Sequence, residues 1–284
     1  VAKIKPTYIG FDGKDYPRDI KFPDTKYPEF IYPTMSNDKF IELLIHKVED
    51  LEPFAFTRFG DGEIAIIKGI NRSFHSFEVT CKNWGFEWPK EAAECHGEMC
   101  KILLNTLWRT DVLGVFYWKT NCYGKSQHSY PFNRMHKYLI HNRKFFGMSD
   151  DVADTRVVRS PAIGNPYKFA DIIQGTPVHI VSPMSKILEE KGLGEVLKTE
   201  ITYTFIPYGA KQPLSMVPAL NESLCSVKAP IILWGGGAGN KGLGVYLRDN
   251  ADKICIDMGG TLGLWAGNRR RLSPGTEEHH CLWS

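Results

Sequence analysis

Residues 231–260 read IILWGGGAGNKGLGVYLRDNADKICIDMGG. An apolar run, Ile231–Trp234, meets a glycine-rich turn, a helical pattern follows over about 242–249, and a second apolar run at 254–256 ends on Asp257. Short apolar runs bounded by turn signals read as strands buried on both faces, so this stretch is a strand–helix–strand unit of a parallel sheet. Gly237, Gly239 and Gly242 have the G-x-G-x-x-G spacing, in the strand–turn–helix setting that gives it meaning. Glycines there let the backbone approach a diphosphate, and the first N–H groups of the next helix offer donors and a positive dipole end. Gly236, Gly237, Gly239 and Lys241 are therefore candidate diphosphate contacts, and Asp257 is placed to take a ribose hydroxyl. A tight turn whose glycines merely permit close packing is the alternative.

The alternation extends upstream. Strands are expected at 54–56, 112–117, 178–181 and Ile201–Phe205, and helices at 36–50, 89–108, 133–141, Pro166–Ile173, 186–191 and Val217–Cys225. Ser36 stands as an N-cap for the first helix, whose Phe40, Leu43, Leu44 and Val48 form an apolar face. Ser182-Pro183 follows a strand and should reach the same edge as the glycine turn. The fold expected is a single, mostly parallel Rossmann-like α/β sheet with helices on both faces. Residues 1–35, with five prolines and little periodicity, read as an extended arm laid on a single domain of residues 36–284.

A second stretch, residues 56–69, reads FTRFGDGEIAIIKG. Asp61 and Glu63 stand one residue apart on a turn hinged by Gly60 and Gly62, directly after a strand and after Arg58. A divalent cation on a diphosphate wants hard oxygen ligands, commonly one or two carboxylates plus phosphate oxygens, and this pair can supply them. Arg58 can fork onto a phosphate or fix a carboxylate. Against that, Asp61 as a helix N-cap and Glu63 in the first turn would satisfy ordinary helix chemistry.

The Arg58-Phe59-Gly60-Asp61-Gly62-Glu63 segment, with the later glycine turn and Ile256-Asp257-Met258-Gly259-Gly260, resembles the GT-D-type bacterial glycosyltransferases. The resemblance is firm over about residues 52–70 and 229–263. It maps Asp61 and Glu63 onto that family's Asp-x-Glu motif, Arg58 onto the preceding arginine and Asp257 onto the late acid. Trp234-Gly235-Gly236-Gly237 is more glycine-rich than the Ser-Ala-Gly type of turn expected there. The resemblance implies transfer of a hexose, galactose or glucose, from a UDP-sugar to a hydroxyl of a glycan, glycoprotein or lipid-linked saccharide in bacterial surface-glycan assembly. Mn²⁺ or Mg²⁺ would sit at Asp61 and Glu63, one of which could also serve as base.

Around these segments, Asn83-Trp84-Gly85-Phe86-Glu87-Trp88 and Tyr117-Trp118 offer aromatic faces for sugar stacking, although buried loop aromatics explain them equally. His128, Arg134, His136 and Lys137 could hold an acceptor phosphate or form a solvated helix face. Arg269-Arg270-Arg271 could make peripheral contact with anionic headgroups.

Composition bounds the alternatives. The 284 residues are 43% hydrophobic and 24% charged with a net charge of +3, which announces neither disorder nor a nucleic-acid partner. No apolar run approaches a membrane span and no signal-like start is present, so the expectation is cytoplasmic, reaching the inner face of the membrane. The seven scattered cysteines read as reduced thiols; Cys95, His96 and Cys100, and His279, His280 and Cys281, lack the paired spacing of structural zinc. Two other readings compete: a Rossmann-type NAD or S-adenosylmethionine enzyme built on the glycine turn, and a noncatalytic glycan-binding module built on the aromatic loops.

Overall fold

Along the last two strands the side chains alternate between two cores. Ile231, Leu233, Ile254 and Ile256 enter one, while Ile232, Trp234 and Cys255 enter the other. That period of two, with every position buried, is the pattern of a strand covered on both faces. The computed structural model describes residues 7–9, 15–17, 35–60, 63, 90–115, 151–207 and 217–268.

Seven parallel strands form the sheet: β3 (Phe54–Phe59), β4 (Val112–Val115), β5 (Val152–Asp154), β6 (Val178–Ser182), β7 (Ile201–Phe205), β8 (Ile231–Trp234) and β9 (Ile254–Asp257), in the order β5-β4-β3-β9-β8-β6-β7. Two short segments, β1 (Thr7–Ile9) and β2 (Asp15–Pro17), pair antiparallel apart from it. The α/β architecture expected from the sequence is thus present, and the sheet is parallel throughout.

One face is covered by α1 (Asn37–Glu49), α3 (Pro161–Gly164), α4 (Pro166–Ile173), α5 (Ser185–Glu190), α6 (Leu193–Leu197) and α9 (Gly260–Trp265). Ser36 caps α1 by accepting from the Lys39 N–H at 3.3 Å, and Phe40, Leu44 and Val48 lay one buried stripe onto the sheet. The Phe40 ring sits 4.6 Å from that of Phe56. Trp265 closes the same core, donating its indole N–H to the Gly164 carbonyl at 2.7 Å.

The other face carries α7 (Val217–Cys225) and α8 (Leu243–Ala251), with α2 (Lys90–Arg109) packed beside the start of α8. At the amino ends of the strands, Asp111 accepts from the Ala55 N–H at 2.8 Å and pairs with Arg248 of α8 at 2.8 Å. No helix among the described residues is long and apolar enough to cross a membrane.

Toward the β7 edge, His179 is buried with both ring nitrogens against hydroxyls, Thr202 at 2.7 Å and Thr204 at 2.9 Å. Burial, followed by the charge of Lys253, pushes its pKa down to about 4. Between about pH 6.5 and pH 4 the unfolded chain therefore binds a proton that the folded protein refuses, and stability falls as pH falls through that window. In His179→Gln, which keeps hydrogen-bonding capacity without titrating, the decline of Tm over this range should be shallower. Identical slopes for the two proteins would refute the assignment.

Candidate functional site at the β3–β9 edge

The parallel ladder between β3 and β9 runs from the Phe54–Ile254 pair to the Phe56–Ile256 pair, and β3 continues beyond it. Backbone N–H groups of alternate residues point toward the same neighbouring strand, and that of Phe54 donates to the Lys253 carbonyl at 3.1 Å. Two rungs on, the Arg58 N–H meets a side chain instead: it donates to Asp257 Oδ2 at 3.1 Å. The last residue of β9 thus completes the ladder with its carboxylate, at the carboxyl edge of the sheet. α2 packs beside α8 on one face, and after β9 the chain enters α9 on the other. Ligands of open parallel sheets bind beyond the carboxyl ends of the strands, where this cluster lies.

Four charged side chains converge here. Lys241, from the loop between β8 and α8, places Nζ 2.5 Å from Asp257 Oδ2 and 3.3 Å from Glu63 Oε1. Arg58 Nε lies 3.5 Å from Asp257 Oδ1, and its Nη1 donates to the Thr155 carbonyl at 3.4 Å. Glu63 Oε2 accepts from the Gly60 N–H at 2.8 Å. Asp257 is 1% exposed, while Glu63 and Lys241 are each 6% exposed, so two cations and two carboxylates compensate one another in a nearly closed setting. Burial alone would raise the Asp257 pKa. The charge of Lys241, then that of Arg58, with a hydrogen bond from each, outweighs burial and holds the carboxyl below its ordinary range.

Glycines let the loops close around this cluster. A Cβ on Gly259 would stand 1.5 Å from Arg58 Nη2, and one on Gly235 would stand 2.6 Å from the Gly259 carbonyl oxygen. Gly236 packs against Ile206 and Asn240, with no room for a Cβ, whereas Gly237 is exposed and Gly239 is half-buried. A short 3₁₀ turn, Ala238–Asn240, which contains Gly239, separates Gly235, Gly236 and Gly237 from the first turn of α8. The loop after β6 lies alongside: the Val181 carbonyl accepts the Gly235 N–H at 3.0 Å, while Ser182 Oγ accepts the Met184 N–H at 3.1 Å.

Of the residues singled out in the sequence, Arg58, Gly60, Glu63, Lys241 and Asp257 therefore meet at one point. Gly237 and Gly239 stand on the accessible side of the neighbouring loop, while Gly236 serves packing. Arg58 spends its guanidinium on Asp257 and the Thr155 carbonyl, the carboxylate-fixing option of the two the sequence left open. Asp257 is 1% exposed and its Oδ2 accepts from both the Arg58 N–H and Lys241, while Oδ1 faces Arg58 Nε at 3.5 Å. Asp61 and Gly62 lie outside the described residues, as do 83–88, 117–118, 128–141 and Arg269-Arg270-Arg271.

Three participants were given no role by the sequence reading. The Thr155 carbonyl left no local signal, Asn240 donates to the Gly236 carbonyl at 3.1 Å, and Gly259 backs Arg58. A glycine directly after Asp257-Met258 was the one available hint of that backing. Among the described residues no three His, Cys, Asp or Glu side chains gather as a metal-binding group. Glu63 is the single described carboxylate at the mouth of the turn.

No protein-family model and no curated protein matches the sequence. Solved structures do match. One is a domain of unknown function 1792 (DUF1792), described as having a distinct glycosyltransferase fold, at 17% identity and a TM-score of 0.50, over 80% of this chain and 78% of that one. Another, described as a new glycosyltransferase (DUF1792) from Streptococcus sanguinis, aligns at 16% identity and a TM-score of 0.50, over 78% of this chain and 80% of that one. The likeness is one of fold. The α/β fold with its seven-stranded parallel sheet aligns with one described as a distinct glycosyltransferase fold.

Proposed function

We propose that this protein is a glycosyltransferase that moves a hexose, galactose or glucose, from a UDP-sugar to a hydroxyl of a glycan, glycoprotein or lipid-linked saccharide. The observation that carries the reading is the buried Arg58–Asp257–Lys241–Glu63 cluster at the carboxyl edge between β3 and β9. It brings Glu63 against Lys241 of the glycine loop, in a sheet whose fold resembles one described as a glycosyltransferase fold. Departure of a nucleoside diphosphate develops negative charge, and Lys241 and the positive dipole end of α8 are protein groups that can meet it. Glu63, with its sequence neighbour Asp61, presents hard oxygens of the type a Mg²⁺ or Mn²⁺ ion shares with substrate phosphates. When bound, such an ion supplies Lewis-acid stabilisation of the leaving diphosphate. One carboxylate of the pair accepts the proton of the acceptor hydroxyl. In the cell the enzyme works on surface-glycan precursors at the cytoplasmic side of the membrane.

The NAD reading rests on the same glycine turn and on Asp257, which here is paired with Arg58 and Lys241. A thermal-shift panel of UDP, GDP, NAD and S-adenosylmethionine, each with and without Mn²⁺, tests the proposal. UDP should stabilise the protein in a Mn²⁺-dependent way, by about 2.7 kcal/mol at 100 times its Kd. Asp61→Ala should lose the effect. Stabilisation by NAD alone would replace this function with an oxidoreductase.

A further inference from the structure

A lysine whose task is to greet an incoming diphosphate would be expected to hold its ammonium in the open. Lys241 does the reverse: it is 6% exposed and spans two carboxylates, Asp257 at 2.5 Å and Glu63 at 3.3 Å. The two differ in what else they have. Asp257 keeps a second cation and a backbone donor, both from Arg58, so it stays compensated if the ammonium leaves. Glu63 has the neutral Gly60 N–H on Oε2, and Lys241 faces its Oε1. A divalent ion approaching Glu63 therefore meets an ammonium already in place, and like charges cannot share that oxygen. Lys241 also sits between Gly239 and Gly242 on a four-carbon stem, which gives the ammonium reach toward the accessible side of the loop.

We propose that Lys241 is a donor-operated latch on Glu63. In the donor-free protein the ammonium occupies the carboxylate and keeps a divalent cation from it. A nucleoside diphosphate entering at the glycine loop draws the ammonium onto its phosphate oxygens, and Glu63 is released as a hard-oxygen ligand. Cation and donor then bind together, and the free protein does not hold the cation in advance. No bond is made or broken; one ion pair is exchanged for another. The inference rests on the donor reading given above and adds the order in which that site fills.

The test measures two affinities on folded protein: Mn²⁺ alone, by electron paramagnetic resonance of the free ion, and UDP alone in the presence of EDTA, by calorimetry. Lys241→Met should bind Mn²⁺ at least about tenfold more tightly than wild type and UDP at least about tenfold more weakly, a difference of about 1.4 kcal/mol in each direction. The gain for Mn²⁺ should vanish in Lys241→Met combined with Glu63→Gln. A lysine that only holds the loops together would weaken both ligands, and one without a role would change neither; either result overturns the latch. Should Lys241→Met fail to fold, Lys241→Gln retains a donor for Asp257, and failure of both would make Lys241 a structural anchor and end the proposal. Absence of UDP binding to wild type, with or without Mn²⁺, would instead remove the donor reading itself. UDP binding with an unchanged Mn²⁺ affinity in Lys241→Met removes the latch alone.

Discussion

Asp257→Ala is expected to cost about 3–5 kcal/mol of folding stability, the range for breaking a buried ion pair from one side. The size follows from what is left behind. Arg58 and Lys241 both lose their shared carboxylate, Glu63 alone cannot compensate two cations, and the Arg58 N–H loses its acceptor at the end of β3. Urea unfolding at neutral pH measures the loss, and a change below about 1 kcal/mol would show that the cluster is far more hydrated than its burial implies. The acid limb of the stability curve gives a second readout. A carboxyl held below its ordinary range takes up its proton later in the folded protein than in the unfolded chain. Its contribution is therefore present above about pH 4 and drains away as pH falls further. That limb should be flatter in the variant.

Gly259→Ala should rank next. This residue has φ +47° and ψ −121°, a combination side chains rarely adopt, and such a strained position costs about 1–3 kcal/mol. The new methyl would also fall 1.5 Å from Arg58 Nη2, so the guanidinium must leave Asp257 or the loop must open. Gly175→Ala provides the control, because Gly175 also has positive φ, at +76°, while its nearest atom to a Cβ is the Lys198 carbonyl oxygen at 3.9 Å. Calorimetric Tm values should fall modestly for Gly175→Ala. For Gly259→Ala the fall should be at least twice as large, with loss of UDP binding. Equal losses would mean that backbone strain is the whole effect and that Arg58 does not depend on this glycine.

Much of the sheet could be read directly because its strands are short runs rich in β-branched and aromatic residues that end in turn chemistry. Ile201–Phe205 and Ile231–Trp234 match the sequence reading residue for residue, and β6 and β9 each gain one polar residue at the carboxyl end. β5 escaped because it is three residues long. Asp154 stops it by accepting the Arg156 N–H, and the Val157-Val158 pair that follows belongs to a 3₁₀ turn, Thr155–Arg159, facing the core. Helices α6 and α9 begin beside glycines at positive φ, Gly192 and Gly259, which read locally as turns.

The site was half legible. Carboxylates placed just past strand ends collect at one edge of a parallel sheet, so Glu63 and Asp257 could be assigned to the same region. That Arg58 would be spent on Asp257, 199 residues away, depends on which strands are neighbours and in what register. No local pattern encodes that.

The strand order carries a consequence for how the protein comes into being. β3, β4 and β5 pair among themselves within residues 54–154, and β6 to β9 pair among themselves within residues 178–257. Among the described residues the β3–β9 ladder alone joins the two groups of strands, and it closes a loop of about 200 residues, a slow, non-local step of the kind that limits folding rate. The charged cluster straddles that seam. A chain still emerging from the ribosome cannot complete the cluster until its late strand, β9, has been made and docked. Completion of the charged cluster thus doubles as a report that assembly is complete.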